Sequence, residues 1–216
     1  MQLDGPRIAA RSGTTRQLVV FLHGYGANGD DLIEIGRLWA RSLPDTAFSA
    51  PNAPEPVPMA PGGRQWFELT FRDPGEYWRG VNAAAPLLRA FLDAELVRLG
   101  LEDRQLVLVG FSQGTMMALH AGLRRAKSLA AIVGYSGMLA GPEHLQQQIT
   151  TRPPVLLIHG EEDEVIPIEA MVQAREALAG AGVAVQWHAS QGLGHGIDEE
   201  GLRQGLAFVT QALAAR

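Results

Sequence analysis

Short aliphatic runs alternate along the chain with longer stretches whose apolar residues recur every third or fourth position. The runs read as buried strands over 16–22 (RQLVVFL), 46–50, 105–109, 129–134, 154–159 and 183–188. Each is short, rich in β-branched and aliphatic residues, and bounded by turn formers. The longer stretches read as helices over 30–43, 82–99, 113–125, 167–179 and 199–214. In the first of these Leu32, Ile35, Leu38 and Trp39 share a face, and Asp30 or Asp31 is placed to cap it. Buried strands alternating with helices predict an α/β protein with a mostly parallel central sheet and helices on both faces.

One segment breaks the alternation. Residues 51–80 hold six prolines between Pro51 and Pro74, yet also Trp66, Phe67, Phe71, Tyr77 and Trp78. A disordered linker is poor in aromatics. The segment is therefore expected to wrap over the fold as an ordered excursion, leaving 1–216 as a single domain with no separate lid.

Composition narrows the function classes. A net charge of −5 leaves no basic footprint for nucleic acid or an anionic membrane. The absence of cysteine removes disulfides, thiolate metal sites and a cysteine nucleophile together. No leader-like apolar segment or membrane span appears, so a cytoplasmic protein without stable membrane insertion is expected.

The candidate chemistry centres on Gly110-Phe111-Ser112-Gln113-Gly114, between a predicted strand and a predicted helix. Gly-x-Ser-x-Gly in that context is a nucleophile elbow: a turn tight enough to strain the serine and exclude side chains two residues either side. A capped turn with no chemistry is the bland alternative for the pentapeptide alone. Gly134-Tyr135-Ser136-Gly137 looks similar but fails, because Met138 stands two residues past its serine.

A serine hydroxyl needs a base, and the base needs an orienting acid. Of six histidines, His23 sits in the loop after the first predicted strand, and His120 lies within a helix, structural or exposed. His144 is in a polar segment, while His159 and His188 belong to strands. His195, between Gly194 and Gly196 after the last strand, is the best placed base. The loop HGEEDEVIP offers Glu161, Glu162, Asp163 and Glu164, and composition alone does not choose among them. Four consecutive acids cannot all converge on one ion, so metal binding is the weaker reading and no metal is expected.

Taken in order, FLHGYGANGDD (21–31), Gln65-Trp66-Phe67, GFSQG (110–114), HGEEDEVIP (159–167) and GHG (194–196) resemble the phospholipase/carboxylesterase family of α/β-hydrolases, which includes the acyl-protein thioesterases. The resemblance implies the α/β-hydrolase fold, with Ser112 as nucleophile, His195 as general base and Asp163 as the orienting acid. It implies an oxyanion hole from the backbone N–H groups of Tyr25 and Gln113, and no cofactor. Position 25 is tyrosine where the family's thioesterases carry leucine; the backbone donor is unaffected, but the acyl-site wall differs.

The implied activity is hydrolysis of carboxylic esters with short to medium acyl chains through an acyl-enzyme. Lysophospholipase or acyl-protein thioesterase activity is the alternative, and a non-catalytic binding protein of the same fold is disfavoured because all three triad residues are present. Trp66, Phe67, Trp78 and Met116 are candidates to line the acyl site, although packing is the commoner role for such residues. The expected partner is a small-molecule ester or lipid-like substrate. A homodimer is compatible with the sequence but not derivable from it.

Overall fold

The structure is a computed structural model that describes residues 3–58, 60–70, 73 and 75–215. Phe71 and Pro74 of the excursion lie outside the described residues. The elements in chain order are β1 (Arg7–Ile8), β2 (Gln17–Leu22), α1 (Gly29–Trp39), β3 (Thr46–Ser49), β4 (Glu55–Pro56), β5 (Arg64–Gln65) and α2 (Glu76–Leu99). They continue with β6 (Leu106–Phe111), α3 (Gln113–Gly122), β7 (Ala131–Tyr135), α4 (Leu145–Gln148), β8 (Val155–Gly160), α5 (Glu169–Gly180), β9 (Val185–Ser190) and α6 (Glu199–Ala214).

Seven strands form one sheet in the order β1-β3-β2-β6-β7-β8-β9. Only β1 is antiparallel to its neighbour; the other pairs are parallel. Successive side chains of a strand point to opposite faces, and the core divides accordingly. Leu18, Val20, Leu22, Leu106 and Leu108 pack beneath α2, α3 and α5. Val19, Phe21, Val107 and Val109 pack beneath α1 and α6. The continuous aliphatic runs are thus the signature of strands covered on both faces. No helix among the described residues is long and apolar enough to cross a membrane.

Several expectations are corrected at their edges. The cap of α1 is Asn28, whose side chain accepts from the Asp30 N–H (2.8 Å), while Asp31 accepts from the Asn28 N–H (2.9 Å). Leu38 is exposed, so it does not share the buried face of α1. Helix α2 starts at Glu76, not Asn82, and carries Pro86 within it. Two short elements had no readable pattern: β1, and the β4–β5 hairpin among the prolines of the excursion.

That hairpin fastens the excursion to the loop after β2. The Gly26 N–H donates to the Arg64 carbonyl (2.9 Å), and the Arg64 N–H donates to the Ala27 carbonyl (2.8 Å). The Arg64 guanidinium also donates to the Ala53 carbonyl (2.8 Å).

Candidate active site

Ligand-binding crevices of open parallel sheets lie beyond the carboxyl ends of the strands. Here the loops after β2, β6, β8 and β9 end at that edge, carrying Tyr25, Ser112, Asp163 and His195 respectively.

Ser112 joins β6 to α3 with φ +54° and ψ −117°, outside the regions L-residues ordinarily occupy. The surroundings fix it there. Its N–H donates to the Tyr135 carbonyl (2.9 Å), and its carbonyl accepts from the Thr115 N–H (2.9 Å). A Cβ at Gly110 would lie 2.5 Å from the Gly114 backbone, and one at Gly114 would lie 1.8 Å from the Leu22 carbonyl oxygen. Both glycines are therefore required, the second by strand β2 rather than by the turn itself. Ser112 stands at the start of α3, where the helix dipole favours negative charge.

His195 Nε2 lies 3.0 Å from Ser112 Oγ, and His195 Nδ1 lies 2.8 Å from Asp163 Oδ2. Asp163 can only accept when ionised, so Nδ1 carries the proton and Nε2 is left to accept from the serine hydroxyl. The other oxygen of Asp163 accepts from the N–H groups of Val165 and Ile166, each 2.9 Å away. Of the four acids in this loop, Asp163 is buried and Glu161, Glu162 and Glu164 are exposed. His159, also buried, places Nε2 2.7 Å from the Ile166 carbonyl and 3.3 Å from Asp163 Oδ2. It braces the loop that bears the acid.

The loop after β2 is held from beneath. Buried His23 accepts at Nε2 from the Ala53 N–H (3.0 Å), so its Nδ1–H donates to the Gly24 carbonyl (2.8 Å). Burial lowers the pKa of His23, which keeps it in this neutral form. The Trp66 indole N–H donates to the His23 carbonyl (3.0 Å). The Gln113 side chain accepts from the Trp66 N–H and donates to the Phe67 carbonyl, both at 2.8 Å. Gln113 thereby ties the excursion to the elbow. Its own N–H and that of Tyr25 donate to no protein acceptor among the described residues.

Trp66, Phe67 and Met116 are all buried in the core beneath α2 and α3. Trp78 is half-buried and stacks on His144, with ring centroids 4.2 Å apart. A cavity of about 810 Å³ opens beside Trp66 and Phe67, but its charged lining is Glu55, Glu68, Asp73, Glu76 and Arg79, and it includes none of Ser112, Asp163 and His195. No group of three or more potential metal ligands occurs among the described residues.

One bracing residue was missed in the sequence. Ser136, wholly buried with φ +43°, donates its hydroxyl to the Gly196 carbonyl (2.8 Å), next to His195. The Gly-Tyr-Ser-Gly string was its only signal, and it failed the elbow pattern for sound reasons.

A strained serine between a parallel strand and a helix, with an acid and then a histidine borne on later strand ends, defines an α/β-hydrolase. The model of the phospholipase/carboxylesterase family matches residues 3–213, and the chain belongs to that family. It is 43% identical to a crystallised esterase, PE8, covering 99% of this chain and 100% of that one with a TM-score of 0.96. It is 30% identical over 188 residues to the esterase YpfH of Escherichia coli, covering 87% of this chain and 79% of the relative. It is 29% identical over 214 residues to acyl-protein thioesterase 1 of Gibberella zeae, covering 90% of each.

Proposed function

We propose that this carboxylesterase-type hydrolase cleaves carboxylic esters of short to medium acyl chain length through Ser112, His195 and Asp163. The observation that carries the reading is the continuous line Ser112 Oγ–His195 Nε2, His195 Nδ1–Asp163 Oδ2, at 3.0 and 2.8 Å. Ser112 Oγ attacks the ester carbonyl carbon while its proton passes to His195 Nε2, and Asp163 stabilises the imidazolium. The tetrahedral oxyanion is received by the N–H groups of Tyr25 and Gln113. Collapse expels the alcohol, which takes the proton from His195 and leaves Ser112 acylated. Water, deprotonated by the same nitrogen, then releases the acid. No cofactor enters any step.

The chain-length preference rests on Trp66, Phe67 and Met116 being already committed to core packing, which leaves the extended groove of a long acyl chain without these walls. The likeness to an acyl-protein thioesterase favours one second reading, a longer or thioester-linked acyl group.

Hydrolysis of p-nitrophenyl esters from acetate to palmitate, by wild type and Ser112→Ala, tests both. Activity should peak at short chains and fall about 10⁵-fold or more in the variant, as for loss of a serine nucleophile elsewhere. A peak at long chains transfers the assignment to lipid or acyl-protein substrates. Activity that survives Ser112→Ala overturns the mechanism.

A further inference from the structure

Of the five residues of the elbow, Phe111 neither reacts, fastens the excursion nor makes room for the turn. It ends β6, where strand alternation puts it on the α1–α6 face with Val107 and Val109. Those valines are wholly buried, whereas Phe111, at the carboxyl end of the strand, is half-buried.

Two loops close on its ring. The ring centroid lies 5.0 Å from that of the His195 imidazole, with the two planes tilted by 46°. A Cβ on Gly24 would come within 3.1 Å of Phe111 Cδ1, 3.4 Å of Phe111 Cε1 and 3.1 Å of Ser112 Cβ. Glycine at 24 thus lets the loop after β2 lie close against the ring, one residue before Tyr25. The same ring lies against both the base and the loop that bears an oxyanion donor.

The base needs such support. Hydrogen bonds at Nδ1 and Nε2 fix the two nitrogens of His195 but leave the imidazole free to rock about the line between them. The flanking chain restrains it little. Beyond its own chain neighbours, a Cβ at Gly194 or Gly196 would meet nothing nearer than 3.7 Å. A ring packed on the imidazole limits the rocking, and it also acts on charge. His195 becomes a cation as Ser112 attacks, and an aromatic face within about 6 Å attracts a cation, which an aliphatic side chain of similar bulk does not.

We propose that Phe111 is a positioning residue for the ester hydrolysis: its ring sets the tilt of the His195 imidazole beside the Gly24–Tyr25 loop and stabilises the imidazolium. This role rests on the proposed Ser112–His195–Asp163 reaction, in which acylation and deacylation both pass a proton through His195 Nε2. Loss of the ring should slow both steps together, so kcat falls while KM, which depends on their ratio, does not move.

The test is steady-state hydrolysis of p-nitrophenyl butyrate by wild type, the ringless variants Phe111→Leu and Phe111→Met, the ring-retaining Phe111→Tyr, and Ser112→Ala. Active sites of wild type and the Phe111 variants are counted by the stoichiometric release of p-nitrophenol from paraoxon, so unfolded protein does not enter the rates. In the ringless variants kcat should fall about tenfold with KM unchanged, and Phe111→Tyr should keep the wild-type kcat. Wild-type kcat in a ringless variant overturns the proposal, as does a Phe111→Tyr variant as slow as Phe111→Leu. A raised KM with unchanged kcat also overturns it, since Phe111 then serves substrate binding alone. Activity that survives Ser112→Ala instead overturns the serine mechanism beneath it.

Discussion

Two adjacent parallel strands each end in a serine with positive φ, and the two serines face opposite duties. Ser112 after β6 sits at φ +54° and Ser136 after β7 at φ +43°. Ser112 presents Oγ to His195 Nε2, whereas Ser136 is wholly buried and donates to the Gly196 carbonyl one residue beyond that histidine. Residue i+2 separates them. Gly114 lets α3 start within contact of the Leu22 carbonyl, so Ser112 heads a helix at the crevice. Met138 follows Ser136 into a loop, and no helix dipole stands behind its hydroxyl. Strained backbone therefore marks both places, but only the turn backed by a helix presents its hydroxyl to a histidine.

Three substitutions probe the contrast. Gly114→Ala should have the largest effect, because its Cβ meets fixed backbone at 1.8 Å and must displace the end of β2. Overpacking of this kind costs about 3 kcal/mol, read as a shift in the urea unfolding midpoint. A wild-type midpoint would mean that the close approach is not what sets the elbow apart. Ser136→Ala comes next. Losing one hydrogen bond to the histidine loop should lower kcat/KM for p-nitrophenyl butyrate about tenfold. An unchanged rate would show that the backbone alone holds His195. The smallest effect belongs to the comparison of Ser136→Gly with Ser136→Ala. Both lack the hydroxyl and should be equally slow, yet glycine escapes the cost of positive φ. It should unfold about 1 kcal/mol less readily than the alanine variant.

Much of this was legible in the residues because the physics behind it is local. A strand covered on both faces needs an unbroken aliphatic run, as in QLVVFL, and an amphipathic helix repeats its apolar face within a few residues. The start of α2 was not legible, since Tyr77, Trp78 and Gly80 in its first turns look like the irregular segment before them. The β4–β5 hairpin was hidden for a related reason: prolines argue against strands, and two residues carry no period.

The sequence by itself determined the strand–helix alternation, the Gly-x-Ser-x-Gly turn and, through its ordered motifs, the family. Composition did not choose among the four acids and the resemblance implied Asp163; the tertiary structure supplies the physical reason, because it buries Asp163 against His195 and leaves its three acidic neighbours exposed. It alone gave Gln113 its second task of fastening Trp66 and Phe67, and it alone drew Ser136 to a loop sixty residues away. Each of these depends on where the carboxyl ends of separate strands meet, and that meeting is set by sheet order, on which neighbouring residues in the chain carry no information.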